Sequence, residues 1–166
     1  LLRMVNFYRG SEVRPFGSIL RKLYLKYVQK RMRENKGVIA KIDGIKYKLN
    51  LNINSEVEAY YGGGYEPTVI KIMKKYLGPG MIVMDIGARI GLHTFRMKKL
   101  VGREGKVFAI EPDEETFPIL LENARLNNYS ILAENKAFSD RNTGKEITLD
   151  TYISTTSIPR LDFIKI

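Results

Sequence analysis

The 166-residue sequence has no cysteine and no tryptophan, and it has a single histidine. The lack of cysteine excludes disulfides, thiolate nucleophiles, iron–sulfur clusters and cysteine-bound zinc. No run approaches the roughly 20 consecutive apolar residues that a membrane-spanning helix requires. The first residues also lack the continuous apolar core of a secretory leader. We therefore expect a cytoplasmic protein whose stability depends on a hydrophobic core.

Positive charge is concentrated at the start of the chain. The net charge is +10, and residues 1–36 hold ten Lys and Arg side chains against two acidic ones. Between Ser18 and about Asn35 the apolar residues recur at intervals of three and four, which predicts an amphipathic helix with a basic face. One interpretation is a solvated face on a helix docked to the domain. The alternative is a surface within residues 14–36 for nucleic acid or an anionic membrane.

A short antiparallel element is predicted next. The pair Asp43-Gly44 separates two strand-like runs, Val38–Ile42 and Ile45–Leu49. Such a pair favours a type I′ turn, because both central residues of that turn need positive φ. Residues 60–67 then predict a flexible loop with tyrosines on both sides of its glycines, and Pro67 is placed as an early residue of the next helix.

From residue 81 onward strands alternate with helices. The predicted strands are 81–86, 106–110 and 163–166, a further strand is suspected over 131–138, and the predicted helices are about 91–101 and 114–127. Such alternation predicts an α/β fold with a Rossmann-like, doubly wound parallel sheet, because parallel strands need helical crossovers. The expected organisation is a basic helical extension, a β-hairpin and helix leading into the domain, and the α/β core: residues 1–36, 37–80 and 81–166.

The most informative pattern is an acid, two glycines and a second acid. Asp85 ends a predicted strand, Gly87 and Gly91 follow in the turn to a helix, and Glu111 ends the next strand. Glycines let the backbone approach a ligand, and a strand-end carboxylate can accept hydrogen bonds from both ribose hydroxyls. Asp85 would repel a pyrophosphate but would pair with the ammonium of an amino acid. A ligand with both a ribose and an amino-acid end is S-adenosyl-L-methionine.

From about residue 44 to the end, the sequence resembles the FkbM-type S-adenosylmethionine-dependent methyltransferases, which are mostly O-methyltransferases. The similarity is carried by several ordered motifs: Tyr61-Gly62-Gly63-Gly64-Tyr65-Glu66-Pro67, Asp85-Ile86-Gly87-Ala88-Arg89-Ile90-Gly91-Leu92-His93-Thr94, Gly105–Pro112, Ala137–Asp140 and Asp162–Ile166. The resemblance implies a cofactor site formed by six residues: Asp85, Gly87, Ala88, Gly91, Glu111 and Ala137.

Two features depart from that family. Arg89 stands where the family usually has Asn, and a guanidinium there would help hold the cofactor's carboxylate. The chain also stops before the family's Asp-x-Glu-Gly motif, so we expect a shortened sequence. In this family the last strand lies beside the first strand of the core.

No catalytic residue is defined by the sequence. Glu66 would line the mouth of the pocket, although an acid in the first turn of a helix also complements the helix dipole. His93 is a weak candidate for the base that removes an acceptor proton, and a packed structural histidine is the alternative. The reaction itself needs no metal. The oligomeric state stays open.

Three functions are consistent with these patterns. The first is O-methylation of a small hydroxylated or sugar-containing acceptor, as the family resemblance implies. The second is an RNA methyltransferase guided by the basic helix, for which Arg21, Lys22 and Lys26 would give salt-dependent binding. The third is a non-catalytic nucleoside-binding module.

Overall fold

A computed structural model describes residues 38–143 and 146–166 of the chain. The basic helix predicted between Ser18 and Asn35 lies outside these residues. Two compact units divide between Tyr65 and Glu66, so the helix that begins at Pro67 belongs with the second unit. No helix among the described residues is long and apolar enough to cross a membrane.

The first unit contains the hairpin that the sequence predicts. Strands β1 (Val38–Ile42) and β2 (Ile45–Leu49) pair antiparallel. Asp43 and Gly44 both have positive φ, at 50° and 82°, as a type I′ turn requires. Helix α1 (Asn54–Gly62) follows the hairpin. The prediction of a loop over residues 60–67 is therefore wrong for residues 60–62, because the helix continues to Gly62 and ends only at Gly63, which has a φ of 72°.

The second unit alternates helices with strands. Its elements in chain order are α2 (Pro67–Tyr76), β3 (Ile82–Ile86), α3 (Thr94–Val101), β4 (Lys106–Ile110), α4 (Phe117–Leu126), β5 (Leu132–Glu134), β6 (Ala137–Phe138), β7 (Glu146–Ile147), α5 (Leu149–Thr155) and β8 (Phe163–Lys165). Four strands form one parallel sheet in the order β5-β4-β3-β8. The predicted α/β class is confirmed, and so is the position of the last strand beside the first strand of the core.

Apolar residues cover both faces of this sheet. Consecutive residues of a strand point to opposite faces, so Val83 and Met84 belong to different clusters. Val83 packs with residues from α2 and α3, and Met84 packs with Tyr152 of α5. Helices on both faces explain why these parallel strands read as continuous apolar runs.

Three local predictions are corrected by the structure. Helix α3 begins at Thr94 instead of Gly91, because Gly91 has a φ of +94° that no α-helix accepts. The suspected third strand is two separate strands: β5 joins the sheet, whereas β6 pairs with β7. Helix α5 is absent from the prediction, since its seven residues hold too few apolar positions to define a helical stripe.

Candidate functional site

The predicted glycine loop and Glu111 meet at the carboxyl edge of the sheet. The amides of Gly87 and Ala88 both donate to the carbonyl of Ile110, at 2.9 Å each. The next amide, that of Arg89, donates to Oε2 of Glu111 at 2.6 Å. Two segments that lie 22 residues apart in sequence are therefore joined at one point, which is where α/β sheets bind their ligands.

The two glycines of this loop have different roles. Gly87 has a φ of +73°, and a Cβ placed there would meet no atom within 4 Å. Gly91 has a φ of +94°, and a Cβ there would lie 2.3 Å from a ring carbon of Phe95. Gly91 thus allows close packing of the loop on α3, whereas open space remains beside Gly87. The role of Gly91 in cofactor binding stays a prediction.

Glu111 is held with its carboxylate at the end of β4. Its side chain is buried, and its Oε1 accepts a hydrogen bond from the amide of Asp113 at 2.9 Å. Asn135 donates to its main-chain carbonyl at 2.8 Å. Each carboxylate oxygen has a second lone pair, so Glu111 remains able to accept hydrogen bonds from hydroxyl groups.

The Arg89 side chain is exposed, and its positive charge influences Asp113, which lies two residues after Glu111. The hydrogen bonds from Thr116 are the largest cause that lowers the pKa of Asp113, and the positive charge of Arg89 lowers it further. A contact with the carboxylate of an amino-acid ligand, as the sequence predicts for Arg89, stays a prediction.

Asp85 has partners within the protein that the sequence did not indicate. Its side chain is 1% exposed, and its Oδ1 lies 3.3 Å from Nζ of Lys165. Thr94, in the first turn of α3, donates to its Oδ2 at 2.6 Å. The pairing of β3 with β8 places Asp85 directly beside Lys165. Only this strand pairing reveals Lys165 as part of the site.

The two weak catalytic candidates contact each other. Nε2 of His93 lies 2.7 Å from Oε2 of Glu66. The histidine is 4% exposed and the glutamate 43% exposed, so the pair runs from the interior to the surface. Burial lowers the pKa of His93, while the hydrogen bond to Glu66 acts in the opposite direction. His93 is consequently neutral near pH 7 and donates Nε2–H to the carboxylate.

Two predicted cofactor residues remain, Ala88 and Ala137. Ala88 is buried in the loop, and Ala137 is half-buried in β6. Phe138, the neighbour of Ala137, packs on Tyr152 with ring centroids 5.3 Å apart. A role of Ala137 beside an adenine stays a prediction.

A shallow cleft of about 290 Å³ lies elsewhere on the second unit. Its lining includes Ile82 and Lys106, which begin β3 and β4. None of the six predicted cofactor residues lines it. We do not assign it to the site.

The residues present fit S-adenosylmethionine. Gly87 leaves space at the loop, and Glu111 presents a fixed carboxylate beside it at the end of the neighbouring strand. The loop and Glu111 lie on a parallel sheet with helices on both faces, which is the Rossmann-like fold of S-adenosylmethionine-dependent methyltransferases.

Comparison with known proteins agrees with this class. The chain is 36% identical over 75 residues to ribosomal protein L11 methyltransferase of Caldicellulosiruptor bescii, an alignment that covers 44% of this chain and 24% of the relative. It is 32% identical over 97 residues to the enzyme of the same name from Thermotoga maritima. That alignment covers 57% of this chain and 35% of the relative. The chain thus spans about a quarter to a third of the length of these curated relatives.

A solved structure shows the same fold. A protein of Pyrococcus horikoshii described as a transferase superposes with a TM-score of 0.50 and is 28% identical, covering 62% of this chain and 37% of that one. No family model matches the chain. The FkbM family that the sequence suggested is therefore not shown, and the broader class of methyltransferases is what the comparisons support.

Proposed function

We propose that this chain binds S-adenosylmethionine at the loop of residues 87–91 and belongs to an enzyme that transfers its methyl group. The observation that carries the proposal is the contact between this loop and Glu111, at 2.6 Å from the Arg89 amide. In this arrangement Glu111 accepts the two ribose hydroxyls, and the backbone near Gly87 approaches the amino-acid part of the ligand.

The bound cofactor supplies a methyl group on a sulfonium. Transfer would form a bond between the methyl carbon and an acceptor atom as the bond to sulfur breaks, and the acceptor's proton would pass to a base. Charge disperses in this step, so alignment and exclusion of water carry the catalysis. The contribution of the described residues is to bind and orient the methyl donor.

Binding of S-adenosylhomocysteine, measured by titration calorimetry, tests the cofactor assignment. Glu111→Gln removes the negative charge with little change of shape, and we expect at least tenfold weaker binding, because hydrogen bonds to a charged group contribute roughly 1.5–3 kcal/mol. Glu104→Gln is the control, since Glu104 is exposed and precedes β4 at the opposite edge of the sheet. Equal affinities for the wild type and Glu111→Gln would contradict the proposal.

The acceptor is a second part of the proposal. The names of the curated relatives favour a ribosomal protein. The FkbM resemblance instead favours the oxygen of a small hydroxylated or sugar-containing molecule, and the basic segment 14–36 would suit RNA. We propose the protein acceptor first, because measured sequence identity supports it.

Transfer of a labelled methyl group distinguishes these acceptors. The full chain is incubated with tritiated cofactor and with separate ribosomal protein, RNA and small-molecule fractions. Label in the ribosomal protein supports the first choice, and label in another fraction replaces it. Cofactor binding without label in any fraction identifies a non-catalytic nucleoside-binding module.

A further inference from the structure

Two carboxylates are hydrogen-bonded to residues at the start of α3, those of Asp85 and Glu66, and they differ in their access to a ligand. Asp85 is almost completely buried, and its charge is balanced by Lys165 at 3.3 Å. Its other oxygen accepts the hydroxyl of Thr94. Oδ1 accepts no hydrogen bond from the described residues, but it is shielded from solvent, so an ammonium group from outside would have to open this cluster to reach it. Asp85 is therefore poorly placed to bind the amino-acid end of a ligand, which is the role the sequence predicts for it.

Glu66 has the access that Asp85 lacks. Its side chain is 43% exposed, and one oxygen is held by His93 at 2.7 Å. His93 lies two residues after Gly91, so this contact places the Glu66 carboxylate beside the cofactor loop. The carboxylate is thus fixed in position and still open to solvent.

The backbone of Glu66 supports a specific role. Its φ is 51° and its ψ is 71°, in the left-handed region that a residue with a side chain rarely adopts. Glu66 stands at the N-cap of α2, yet its side chain makes no capping hydrogen bond to that helix. It is turned toward His93 instead. Strained backbone of this kind is concentrated at ligand-binding positions.

The charges around His93 leave one negative charge to be balanced. The charged side chains that influence His93 are those of Glu66, Asp85 and Lys165. Lys165 balances Asp85, and the neutral histidine contributes no charge, so the negative charge of Glu66 is uncompensated within this cluster. A positively charged ligand group is what this position would attract.

We propose that Glu66, and not Asp85, receives the α-ammonium group of S-adenosylmethionine, and that His93 is the positioning residue that holds its carboxylate. Asp85 and Lys165 then have a structural role, because Asp85 connects β8 through Lys165 to the start of α3 through Thr94. This inference deepens the proposed function and rests on it.

Two probes separate the amino-acid end of the cofactor from its nucleoside end. S-adenosylhomocysteine carries the ammonium, and 5′-methylthioadenosine has the same adenosine and sulfur without the amino acid. Calorimetry on the full chain should show that Glu66→Gln weakens S-adenosylhomocysteine about tenfold and changes 5′-methylthioadenosine less than twofold. The matched control Glu104→Gln should change neither affinity.

A second variant keeps the test decisive if Glu66→Gln does not fold. Glu66→Asp keeps the charge but withdraws the carboxylate by one methylene, so we expect a loss of about threefold for S-adenosylhomocysteine alone. Equal affinity of each variant and the wild type for this probe overturns the inference and leaves the pair with His93 as an anchor of α2. An equal loss for both probes also overturns it, because Glu66 would then act through the fold of the loop. If the wild type binds neither probe, the proposed function itself fails.

Discussion

The buried ion pair between Asp85 and Lys165 allows a quantitative prediction. At 3.3 Å the two charges attract each other by about 5 kcal/mol if the effective dielectric constant is about 20. Desolvation offsets much of that attraction, but removal of one partner leaves the other charge buried and typically costs 3–5 kcal/mol. Lys165 is 19% exposed, so water reaches part of the pair. We therefore expect Lys165→Met to lower the free energy of unfolding by about 3 kcal/mol.

Urea unfolding monitored by circular dichroism measures this change. The double variant Asp85→Asn/Lys165→Met should recover part of the loss, with a coupling energy of about 2 kcal/mol in a double-mutant cycle. Arg141→Met is the matched control, because Arg141 forms an ion pair with Asp140 in which both side chains are mostly exposed. Such surface pairs contribute less than about 1 kcal/mol.

Two results would refute this reasoning. A loss below about 1 kcal/mol for Lys165→Met, similar to that of the control, would mean that water already screens the pair. Additive effects of the two single substitutions would mean that Asp85 and Lys165 do not interact. Either result would also remove the reason for assigning the ammonium to Glu66 instead of Asp85.

Two further predictions concern the loop and the histidine. Gly91→Ala should destabilise the protein by more than about 2 kcal/mol, because its Cβ would overlap the ring of Phe95. Gly87→Ala should cost about 1 kcal/mol, because only its positive φ opposes a side chain. Equal melting temperatures of the two variants would contradict this. Burial lowers the pKa of His93 from 6.5, so the unfolded chain binds the proton more readily and stability should fall as the pH drops below about 6.5. His93→Gln should show a smaller fall between pH 7.5 and 5.5 in urea unfolding, and an unchanged slope would contradict it.

Local patterns were sufficient to predict much of the fold. The Asp43-Gly44 pair between two strand-like runs favours a type I′ hairpin, and continuous apolar runs bounded by glycine are typical of buried parallel strands. The position of Glu111 at a strand end followed from the same pattern. Helix α5 was missed because its seven residues carry no stripe long enough to read. A helix of seven residues makes only about two turns, which is too short for its apolar residues to show a helical period.

The sequence by itself determined the alternation of strands and helices and the meeting of the glycine loop with Glu111, because these depend on spacing within one βαβ unit. Only the tertiary structure decided which side chains balance the charge of Asp85 and which residue holds Glu66. Lys165 reaches Asp85 through the register of two strands that are distant in sequence, and His93 reaches Glu66 across 27 residues. Such contacts depend on how separate segments pack, so no local pattern contains them.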